Sequence, residues 1–131
     1  MSTLDARKNF AKADLITGYS AGALSIVTAS GKGSLFPDPA TDGAFNIIWW
    51  NSTDYSDPSD DPNKEIVRCT ARSGDTLTIA RAQEGTTATA KNTAGRTYKI
   101  MLAPTAKMIT DIETLLDAAK VDAMYYKGAW N

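Results

Sequence analysis

The chain has 131 residues, 43% hydrophobic and 22% charged, a composition that fits one folded domain and excludes a wholly disordered segment. Fourteen basic against fifteen acidic residues leave a net charge of -1, so no general attraction to nucleic acid or to anionic membranes is expected. No apolar run approaches the ~18 residues that cross a bilayer, the charged start MSTLDARKNF does not read as a signal peptide, and a lone cysteine cannot form an intramolecular disulfide.

The first half reads as strands cut by turns. LSIVTA at 24–29 is rich in β-branched residues and is stopped by Gly31, Gly33, Pro37 and Pro39. FNIIWW at 45–50 is the most apolar stretch and has the length of a strand covered on both faces. Trp49 and Trp50 alternate, so at least one of them is expected to face a partner outside the domain's own core. The following NSTDYSDPSDDPNK at 51–64 is a turn-rich surface loop.

EIVRCTA at 65–71 and TLTIARA at 76–82, joined by RSGD, form the clearest hairpin, with glycine where a tight turn needs a positive φ. Val67, Cys69 and Ala71 share one face, and Ile66, Arg68 and Thr70 the other. A polar loop at 83–97 leads to a closing strand, TYKIMLA, at 97–103. After Pro104 the period changes: Thr105 is placed to cap a helix, and Met108, Ile112, Leu115 and Ala119 follow at spacings of four, three and four. Two heptads make a helix too short to stand alone in water, so the stripe needs a surface to cover it, its own domain or another copy. The tail at 124–131, with Tyr125, Tyr126 and Trp130, reads as the opening of a further element.

The expected architecture is mainly β: a small β-sandwich or barrel over residues 1–104, then a C-terminal helix over 105–123 that starts a coiled coil. Little in the chain suggests catalysis. It has no histidine, which removes the commonest general base and metal ligand, and Cys69 in mid-strand reads as a small core residue. Asp54, Asp57, Asp60, Asp61 and Glu65 form the one dense group of oxygen ligands, but their spacing does not fit an EF-hand and Asp-Pro and Ser-Asp pairs are ordinary turn formers. Gly31-Lys32-Gly33 lacks phosphate-loop spacing and reads as a turn, while Arg81, beside Gln83 and Glu84, reads as an anchor for the loop after it. No cofactor, no metal and no enzymatic activity are expected. The aromatics Trp49, Trp50, Tyr55, Tyr125, Tyr126 and Trp130 suit core or subunit packing, with stacking on sugar rings as the alternative.

Taken in order, GALSIVTASGKGSLFP, FNIIWWN, EIVRCTARSGDTLTIARAQEGTTA and TYKIMLAPTAKMITDIE resemble a module of tailed-bacteriophage tail fibres and other virion structural proteins. The match spans residues 20–113 and is densest over 65–88, where Glu65, Arg68, Asp75, Arg81, Gln83, Glu84 and Gly85 look like turn and hairpin fixtures. The resemblance implies an attachment module of a fibre or similar appendage, docked to other virion proteins of the tail or head and located in a virion assembled in the host cytoplasm. It implies a homotrimer organised by the helix, with Met108, Ile112, Leu115 and Ala119 as the contact. Trp49, Trp50, Tyr125, Tyr126 and Trp130, from the aromatic pattern itself, are the candidates for partner contact. Similar chains run past a segment like Lys127 to Trp130 into distal modules, some of which bind surface sugars, which makes a host glycan the alternative partner.

Overall fold

The computed structural model describes residues 4–128, with side chains described through Lys120. Six antiparallel strands, β1 (Lys12–Asp14), β2 (Ser25–Val27), β3 (Phe45–Asn51), β4 (Glu65–Ser73), β5 (Thr76–Gln83) and β6 (Tyr98–Met101), form one curled half-barrel sheet in the order β1-β6-β3-β4-β5-β2. Its outer strands meet at one point, where Leu15 bridges Thr28 and Ala29 N–H donates to the Asp14 carbonyl at 2.8 Å. The fold is thus mainly β, and the curl of one sheet does the work of a second layer.

Alternation along the strands builds the interior. Phe45, Ile47 and Trp49 of β3, Val67 and Cys69 of β4, Leu77 and Ile79 of β5, and Tyr98 and Ile100 of β6 all face inward and are buried. Phe36 stacks on Phe45 with ring centroids 6.4 Å apart, continuing the apolar interior past the first residue of β3. Two register shifts between β4 and β5 mark bulges, one of them beside Ala82, which sits at a φ of 54°. A short helix, α1 (Pro39–Asp42), capped by the Asp38 side chain, leads into β3.

The Gly-Lys-Gly segment is a turn, and the reason is steric. Asp75 at the β4–β5 turn accepts from Gly31 N–H and Gly33 N–H, both at 2.9 Å. The approach is so close that a Cβ on Gly33 would lie 2.1 Å from the Gly74 carbonyl oxygen. Strand β1 was not anticipated: its three residues, Lys-Ala-Asp, carry no strand signal and are extended because they pair with β6.

A long helix, α2 (Ala106–Gly128), ends the described residues. At 1.5 Å per residue its 23 residues span about 34 Å, longer than the expected 105–123 segment.

Candidate functional site

Both tryptophans of β3 are buried, which corrects the expectation that one of them contacts a partner. Trp49 faces the barrel interior, edge-on to Tyr19 at 5.5 Å between centroids, with the Arg81 guanidinium 5.0 Å and the Lys91 ammonium 5.4 Å from its ring. Trp50 lies on the opposite face under the 51–61 loop, where its indole N–H donates to the Tyr55 carbonyl at 3.0 Å. That loop is pinned by Asp61, which accepts from the Asn51 and Asn63 N–H groups, each at 2.8 Å. The expected surface loop therefore also covers one indole. The side chains of Tyr125 and Tyr126, and the whole of Trp130, lie outside the described residues.

The acidic group is likewise committed to structure. Asp54 accepts from Asn51 and pairs with Arg96 at 2.8 Å, Asp57 accepts from Ser59 N–H, and Asp61 holds the loop. Among the described residues no three such side chains are grouped to hold a metal ion.

Glu65 is the centre of a buried ion cluster inside the barrel. Its side chain is fully buried and accepts from Arg81 Nε at 2.8 Å, Arg81 Nη2 at 2.9 Å, Ala82 N at 3.0 Å, Lys91 Nζ at 3.0 Å and Thr89 N at 3.3 Å. Arg81 continues to the carbonyls of Ser20, Ala23 and Thr89, so one carboxylate ties β4, β5, the 18–24 turn and the 84–97 loop together. Burial alone would raise the Glu65 pKa, but the Arg81, Ala82 and Lys91 donors outweigh it and hold the carboxyl at about 2. Arg81 does anchor the loop that follows it. Its pairing with Glu65, and Lys91 as the second cation on that carboxylate, carry no signal in the sequence, since a fully buried lysine has no signature inside a polar loop. Cys69 is buried, and burial pushes its thiol up to about 11, so it is held as an unreactive thiol.

A second polar network lies on the outer face and fixes where α2 begins. Asp5, almost wholly buried, pairs with Arg68 at 3.0 Å and with Lys107 at 3.0 Å. Arg68 donates to Asn46 Oδ1 at 2.9 Å, Asn46 donates to Glu84 at 2.8 Å, and Glu84 accepts from Lys107 N–H at 2.8 Å. The cap on the first turn thus comes across space from Glu84, and not from Thr105, the residue placed in sequence to supply it. Lys107 also reaches Asp111 at 2.5 Å, one turn along.

From there the helix leaves the domain. Every residue from Ile112 to Lys120 is exposed, including Leu115 and Ala119 of the expected seam. Met108, the first seam residue, is half-buried in grooves lined by Leu4, Arg7, Leu102 and Pro104. Ile109 at 50% and Leu116 at 62% exposure join Ile112 and Leu115 to widen the bare stripe, and the sequence reading passed over both. Of the two covers open to the stripe, the chain's own domain reaches Met108 and one edge of Ile112 and leaves Ile109 and Leu116 largely bare. No family model and no curated protein matches the chain.

Proposed function

We propose that this chain is a structural assembly module in which the β-domain is a rigid base and α2 joins it to other copies, as in the attachment part of a phage tail fibre or similar virion appendage. The observation that carries the reading is the bare stripe of Ile109, Ile112, Leu115 and Leu116 on a helix held at its base and uncovered above it. Isolated apolar side chains on a surface need no explanation, but four on one face of a projecting helix do. A helix this exposed gains little from its own domain, so another helix is the natural cover, and the resemblance to fibre modules makes three copies the expected number.

The polar chemistry supports a base rather than a reactive site. Glu65, Arg81, Lys91, Asp5, Arg68 and Glu84 each spend their hydrogen bonds on neighbouring segments, and the conspicuous indoles Trp49 and Trp50 are covered. In this reading the β-domain docks to other virion proteins through its outer surface, and the molecule does its work by binding.

The test is the solution mass of the full chain across a concentration series by light scattering. The wild type is expected to form a trimer, and Ile112→Asp with Leu115→Asp a monomer whose β-domain melts within about 0.5 kcal/mol of the wild type, because both side chains are already exposed. An oligomer that survives both substitutions, or a wild type monomeric throughout, removes α2 as the assembly element.

A further inference from the structure

The base of α2 offers another copy more than an apolar stripe. Residues 4–10 run along one flank of the helix, and Leu4, Asp5, Arg7, Met108 and Ile112 line a groove of about 330 Å³ between them. That flank covers Met108 and leaves Ile109 and Leu116, seven residues apart, most open. The asymmetry sets the phase of the heptad: Ile109 and Leu116 take a, Ile112 and Ala119 take d, and Met108 and Glu113 fall at g and e. In parallel helical bundles the g position of one helix lies beside e of the next, the usual place for an intersubunit ion pair.

Arg7 sits over the g-position Met108 in two of the grooves at the helix base. Arg7 and Glu113 are both exposed, and neither has an ion-pair partner within the described residues. Opposite charges are thus left open at the two positions that a parallel neighbour would bring together. On the same segment Phe10 is 96% exposed at a φ of 60°, a left-handed conformation that costs a bulky residue energy and holds its ring out in solvent.

We propose that residues 4–10 form an intersubunit clasp, in which Arg7 of one copy pairs with Glu113 of the next copy in a parallel α2 bundle. The proposal rests on self-association through α2 and adds to it the register, the parallel direction and a contribution from the N-terminal segment to its neighbour's helix.

Sedimentation of the full chain over a concentration series tests it with Arg7→Glu, Glu113→Arg, the double variant, and a 1:1 mixture of the two single variants. Each single change is expected to raise the midpoint concentration for association about three- to tenfold, since like charges replace an exposed pair at every symmetric contact. The double variant should return to near the wild-type midpoint, and the mixture should associate better than either variant alone, which only a contact between chains produces. Melting temperatures of the dilute monomers should be unchanged. An oligomeric wild type whose single variants keep its midpoint, or whose double variant shows no rescue, overturns the clasp and leaves the α2 stripe standing. A wild type that stays monomeric overturns both.

Discussion

The two ends of the chain's polar and apolar economy are inverted relative to an ordinary globular domain. Inside the half-barrel, Glu65, Arg81 and Lys91 bury three charges against Trp49, while on α2 four large aliphatic side chains stand in water. The buried charges are closed upon themselves: every Glu65 oxygen and the Arg81 fork have partners within the chain. Among the described residues the exposed aliphatics keep 41–62% of their surface open. The first region therefore describes how the domain holds its shape, and the second describes what the domain has left to do.

The largest expected effect breaks the closed region. Glu65→Ala strands the buried Arg81 and Lys91 without their counter-ion and should cost about 3–5 kcal/mol in urea denaturation, with α2 self-association altered only through loss of the folded base. A loss below about 1 kcal/mol would show that water or a rearranged loop takes over the carboxylate's role, and that the cluster is less closed than its geometry implies.

The same carboxylate gives a pH signature of intermediate size. With a folded pKa of about 2 against an ordinary value of 4.5, Glu65 contributes stability that is present above pH 4.5 and is lost as the pH falls toward 2. Chemical denaturation at steps between pH 6 and pH 2 should show stability falling through that window in the wild type and a visibly shallower fall in Glu65→Gln. Equal slopes for the two proteins would mean that other carboxylates, such as Asp5 and Asp75, whose partners also hold their pKa values low, dominate the acid response.

The difference between the regions also explains what was legible beforehand. Strands β2 to β6 are readable from local patterns, β2 from its β-branched residues, β3 from an unbroken apolar run and the others from the alternation of Val67, Cys69, Leu77, Ile79 and Ile100, and the helix because its spacing is local too. β1 is not, since Lys12–Asp14 becomes a strand through its partner β6. The placement of Trp50 depends on a loop folding back over it, and that of Lys91 on a carboxylate 26 residues away. The stripe on α2 could be located by spacing, but which edge of it stays open is decided by residues 4–10, far away in the chain.

The smallest effect concerns the joint between the two regions. Glu84 belongs to the loop after β5, yet it accepts from Lys107 N–H in the first turn of α2 and from Asn46 on β3. Glu84→Ala removes a cap supplied from another element and should cost about 1 kcal/mol, measured by denaturant unfolding, with helical ellipticity falling while the β-sheet signal holds. Because Asp5 still pairs with Lys107 and Arg68, the helix should stay attached. If instead the variant keeps its full helical signal but loses self-association, Glu84 matters for the angle at which α2 leaves the barrel more than for whether it forms, and the joint is itself part of the assembly geometry.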